Sequence, residues 1–99
     1  MEMKKIKKSL LQESIRITLH AKKRMQKRGY TQSDLISCIW GGEITERQFF
    51  NHKACVIVEG MDMDGLPIVV VVGKDNLNPN RLAIITVYPP IDEKFKRVI

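Results

Sequence analysis

His20, Arg24 and Arg28 recur at intervals of four residues. On a helix each interval turns only about 40° round the axis, so the three side chains share one stripe about 12 Å long. An imidazole has an ordinary pKa near about 6.5 and can take or give a proton close to neutrality. Guanidiniums present forked donors that match phosphate oxygens. The pattern therefore suits proton transfer beside a held phosphate, with Lys23 and Lys27 widening its basic side. The same spacing also describes a solvated helix face with His20 as a packing or capping residue. Spacing alone leaves both readings open.

These residues need a helix to align them, and the local signals supply one. Thr18 is a suitable N-cap, the body runs from Leu19 to Arg28, and Gly29 offers the left-handed residue that closes a helix. Ile17, Ala21 and Met25 form the apolar stripe beside the basic one. Thr31 and Asp34 have capping-box spacing ahead of a second helix, about Gln32 to Trp40, which should stop at Gly41-Gly42 and pack between the first helix and a sheet. Strands are then expected at Glu43–Phe50, Lys53–Glu59, Leu66–Lys74 and Leu82–Tyr88, the third central, with Gly60 to Gly65 as a hairpin connection. Pro89-Pro90 ends the last strand. Residues 91–99 read as a short tail. Strict alternation in the last strand puts Ile84, Thr86 and Tyr88 on one face and Ile85 and Val87 on the other. Two hydroxyls at a strand end are compatible with a polar site, although Thr and Tyr also favour strands for packing reasons alone. The expected fold is α+β, two N-terminal helices on a four-stranded antiparallel sheet.

Composition narrows the partners. The 99 residues carry a formal charge of +6. It is regional: residues 1–28 hold ten basic groups against two acidic, and the remainder holds seven against nine. Such an asymmetry points to a polyanion. Residues 1–16 form a basic segment ahead of a single domain over 17–99, and Lys4 to Lys8 read as a solvated tail or a short amphipathic helix. No apolar run approaches the roughly 18–20 residues needed to span a bilayer, and the N-terminal residues lack the pattern of a secretory signal. A cytoplasmic protein is expected, with no membrane partner. Cys38 and Cys55 are then expected as packed free thiols. With His20 and His52 they show no zinc-ligand spacing, and Asp62, Asp64 and Gly65 lack the downstream acid of a calcium loop. No metal or cofactor is expected.

The segment Leu19 to Thr31, together with Gly42-Glu43 and Thr86-Val87-Tyr88, resembles a small bacterial domain family. That family has no assigned function of its own and is grouped with the BECR ribonuclease toxins (barnase, EndoU, colicin and RelE-like). Its pattern is a His, an Arg four residues on, an Arg-Gly four further, a Gly-Glu after the second helix and a closing Thr-x-Tyr strand. The match covers about residues 17–89. The resemblance implies a RelE/barnase-like fold with a curved sheet, metal-independent RNA cleavage and an antitoxin partner. On that expectation the 2′-hydroxyl attacks the adjacent phosphate, leaving a 2′,3′-cyclic phosphate and a 5′-hydroxyl. His20 serves as general base or acid, and Arg24 and Arg28 hold the phosphate with Lys23 and Lys27 beside them. Tyr88 is a second proton-transfer group or stacking platform, and Thr86 donates to a phosphate oxygen. Two other readings compete: a nucleic-acid-binding or adaptor domain without catalysis, and a protein-interaction module docking through the 44–50 strand (Ile44, Phe49, Phe50).

Overall fold

The protein, seen as a computed structural model, is described over residues 1–50, 53–78 and 80–90. Its elements are α1 (Met3–Leu11), β1 (Ile15–Ile17), α2 (Leu19–Arg28), α3 (Gln32–Gly41), β2 (Glu43–Phe50), β3 (Lys53–Met61), β4 (Pro67–Lys74) and β5 (Leu82–Tyr88). The sheet order is β1-β5-β4-β3-β2. Strands β2 to β5 form an antiparallel meander, and β1 joins its edge parallel to β5, with Arg16 opposite Ala83. The fold is therefore α+β, as the residue pattern predicts, but with three helices and a five-stranded mixed sheet instead of two and four antiparallel strands.

Of the additional elements, α1 lies within the basic N-terminal segment and β1 straddles its end. In α1, Ile6 is fully buried in the core, and Met3 and Leu10 pack against it from the same helix face. The lysines of this segment thus ride on a helix whose apolar side is packed into the fold. Lys7 lies over the Trp40 ring of α3 at 5.2 Å. Helix α3 rests on β3 and β4, as expected of a helix over the sheet, and is also flanked by α1. Glu13 takes a positive φ of 52° as the chain leaves α1 and turns into β1.

Val56, Val58, Ile68, Val70, Val72, Leu82, Ile84 and Val87 face the helices and form the core with them. The other face carries Arg16, Thr86, Tyr88, Ile57, Glu46 and Glu59 by register. Strict alternation fails in β5. Thr86 pairs with Val71 but Ile84 pairs with Val72, so Ile85 is the extra residue of a β-bulge. Ile84 is consequently buried with Val87 on the helix side, and Thr86 and Tyr88 stand on the opposite face without it.

Candidate nucleic-acid interface

Thr18 fixes where α2 begins. Its hydroxyl accepts from the Ala21 N–H at 3.1 Å and donates to the Ile85 carbonyl at 3.1 Å, while its N–H donates to the Ile84 carbonyl at 3.1 Å. One side chain therefore caps the helix and ties it to the bulge of β5. Gly29, at φ 77°, closes the helix with its N–H on the Met25 carbonyl. In between, Ala21 and Met25 are buried, and α2 packs against β5.

The remaining positions form the candidate interface. His20, Lys22, Lys23, Lys27 and Arg28 are exposed, and Arg24 is half-buried at the margin of the core. The helix has five cations and no acid. Among the described residues none of the five forms an ion pair; the pairs present are Arg16–Asp75, Arg81–Asp75 and Arg47–Glu2. Lys23–Lys27 and Arg24–Arg28 are like-charged neighbours at i, i+4, each costing about 0.2–0.5 kcal/mol. Lys27 and Arg28 recover part of this at the negative end of the helix dipole. A polyanion laid along this side would relieve the repulsion and fill the vacant donors.

Thr86 and Tyr88 have different surroundings. Burial raises the Tyr88 phenol above its ordinary pKa, and Glu59, Glu46 and the Cys55 thiol push it further up. Among the described residues the charged groups acting on Tyr88 are thus carboxylates of β2 and β3, and no cation of α2 is among them. Arg28 instead acts on Tyr30, whose phenol is also raised, chiefly by burial. The structure places His20, Arg24, Arg28, Lys23 and Lys27 on one helix and Thr86 and Tyr88 on the neighbouring strand. Among the described residues no hydrogen bond joins the two groups. His52 lies outside the described residues, as do residues 91–99.

The cysteines behave as packed thiols. Cys38 donates to the carbonyls of Val58 and Ile68 at 3.7 and 3.5 Å, and burial pushes its pKa up to about 12. Burial also raises the Cys55 thiol. Neither forms a disulfide. Among the described residues no three His, Cys, Asp or Glu side chains gather as a metal site, and no helix is long and apolar enough to cross a membrane. Asp62 instead ties the hairpin between β3 and β4, accepting from the Asp64 and Leu66 N–H groups at 2.8 and 2.9 Å. A cleft of about 300 Å³ opens between α1, β1 and α3. Its walls are largely aliphatic (Leu10, Ile15, Ile17, Leu35, Ile36, Ile84), and none of the site residues lines it.

Sequence reasoning missed one charged cluster. Asp75, with its side chain fully shielded, holds Arg16 of β1 and Arg81 ahead of β5. Asp75 reads as the start of a polar loop, and Arg16 is 59 residues away, so no local signal connects them.

Residues 17–89 match the family described as a Domain of unknown function (DUF4258), and the chain belongs to that family. No curated protein and no solved structure matches the chain.

Proposed function

We propose that this DUF4258 protein binds single-stranded RNA by its phosphates along α2 and cuts it there, as a metal-independent endoribonuclease of the toxin type with a cognate antitoxin. The observation that carries the reading is the set of five cations on α2 without an acidic partner among the described residues, with His20 exposed at its head. Arg24 and Arg28 would hold one phosphate, and Lys23 and Lys27 its neighbours. His20 would move the proton of the attacking 2′-hydroxyl or of the leaving 5′-oxygen. The charge that develops on the phosphate would fall to the guanidiniums. Thr86 and Tyr88 would meet the RNA only where it passes round to the far face of the sheet, on which both stand. The resemblance to the BECR ribonucleases, with their RelE/barnase-like fold, supports the cutting step by analogy of fold and motif.

A second reading, binding without cutting, is favoured by the setting of Tyr88. Glu59 and Glu46 repel a phosphate from its side of the sheet. One experiment separates the two. Purified protein is incubated with several single-stranded RNAs in EDTA, and binding and product ends are followed together. Cutting to cyclic-phosphate ends that disappears in His20→Ala is the expected result. Tight, salt-sensitive binding to intact RNA would establish the second reading. Absence of both would overturn the interface itself.

A further inference from the structure

Asp75 is a buried carboxylate shared by two guanidiniums. Arg16 Nε donates to both of its oxygens at 3.0 Å, and Arg81 Nε donates to Oδ2 at 2.9 Å, with Arg81 Nη2 in ion-pair contact with the same oxygen at 2.9 Å. The Leu77 N–H fills Oδ1 at 2.9 Å, and the backbone N–H of Asp75 donates to the Arg81 carbonyl. Arg16, the Leu77 N–H and Arg81 Nε together fill the roughly four acceptor sites of the carboxylate.

The second guanidinium leaves an excess of one positive charge and a set of unused donors. Among the described residues, the hydrogen bonds of both guanidiniums are made through Nε alone, and the terminal nitrogens make none beyond the ion-pair contact of Arg81 Nη2 with Asp75. Both side chains keep about a third of their surface in water, at 31% and 37%. Because both Nε atoms bond one oxygen, they lie within about 6 Å of each other, and the forks are fixed as neighbours. Lys53 reaches the same loop, donating to Asn76 Oδ1. The carboxylates on this face of the sheet, Glu43, Glu46 and Glu59, sit at rows nearer the other end, level with Thr86 and Tyr88.

We propose that Arg16 and Arg81, held side by side by Asp75, form a binding site for a phosphate-class oxyanion. Two adjacent forks need a ligand with more than two acceptor oxygens, which favours a tetrahedral phosphate over a carboxylate. Asp75 keeps the guanidiniums oriented before the ligand arrives, so little side-chain freedom is lost on binding. The ligand is either a free phosphate or phosphomonoester, or the phosphodiester of an RNA chain. The site is separate from the α2 stripe and does not depend on it.

The test is an NMR titration of the arginine Nε–H signals in the whole protein. Inorganic phosphate is added in one arm and a short single-stranded oligonucleotide without terminal phosphates in the other, with sodium chloride at matched ionic strength as control. Saturable shifts of Arg16 and Arg81 with phosphate support the site and indicate a free-phosphate ligand. Shifts with the oligonucleotide alone indicate the diester. Arg16→Lys keeps the charge but loses the fork, and should weaken binding roughly tenfold or more. Arg81→Lys is read in its place if that variant does not fold. No saturable shift in either arm, the same shift with chloride, or unchanged affinity in a folded lysine variant would overturn the proposal.

Discussion

A β-carbon placed on Gly60 would overlap the carbonyl oxygen of Cys38, and one placed on Gly42 would overlap the same oxygen. The C-terminal half of α3 therefore lies directly on the backbone of β3, at a distance only glycine permits. Gly60→Ala should cost about 3 kcal/mol, near the upper end of overpacking penalties. Gly65→Ala, at φ 78° in open space, should cost only the left-handed strain, about 1–2 kcal/mol. Denaturant melts of both variants check the order; equal losses would contradict the close approach.

Ile6 gives the N-terminal helix a measurable stake in the fold. Ile6→Ala removes a fully buried side chain and should destabilise by about 2–5 kcal/mol. A loss near zero by urea denaturation would mean that α1 lies loosely on the domain.

Acid should loosen the loop between β4 and β5. The Arg16 hydrogen bond first, then the Leu77 N–H and Arg81, hold the Asp75 carboxyl well below its ordinary value. An unfolded chain takes up this proton near about pH 3.9, ahead of the folded one. The contribution is therefore whole above that pH and is lost as pH falls through the depressed folded value. Urea melts of wild type and Asp75→Asn should differ most at pH 5–7 and converge toward pH 2.

Glu59→Gln removes one of the charges that raise Tyr88. The phenol should then titrate at lower pH than in wild type, though still above its ordinary value because burial is the leading cause. An absorbance titration of tyrosinate, with Tyr30→Phe as background, reads this directly. An unchanged or raised Tyr88 would show that the carboxylates do not face it.

Salt dependence reports on α2. Each phosphate contact removed should flatten the slope of log affinity against log salt by about 0.7 for a single-stranded ligand. Arg24→Gln and Arg28→Gln are each expected to do so, and Glu43→Gln is not. Identical slopes in all three would place the RNA elsewhere.

What the sequence displays is what short stretches decide. The bounds of α2 follow from Thr18, Gly29 and the Ala21–Met25 stripe, and the capping box of α3 from Thr31 and Asp34, both present in the fold. Those signals lie within one or two turns of the residues they govern. β1 is different: three residues carry no periodicity, and only pairing with β5, far along the chain, makes them a strand. The bulge at Ile85 is equally hidden, because it is a matter of register against β4 and of the Thr18 hydroxyl on its carbonyl. The basic stripe was visible as spacing; the acidic company of Tyr88 required two other strands to be in place.

The parallel pairing of Ile15–Ile17 with Leu82–Ile84 also sets an order of events during synthesis. A ribosome delivers β1 long before its partner exists. Until residue 84 has emerged, α2 lacks the strand it packs on, and Arg16 lacks the pairing that brings it to Asp75. A nascent chain can assemble the β2–β4 meander early, but its cationic helix acquires a fixed seat only when the last strand arrives. The orientation of the five α2 cations against the sheet thus depends on a strand more than fifty residues further along the chain.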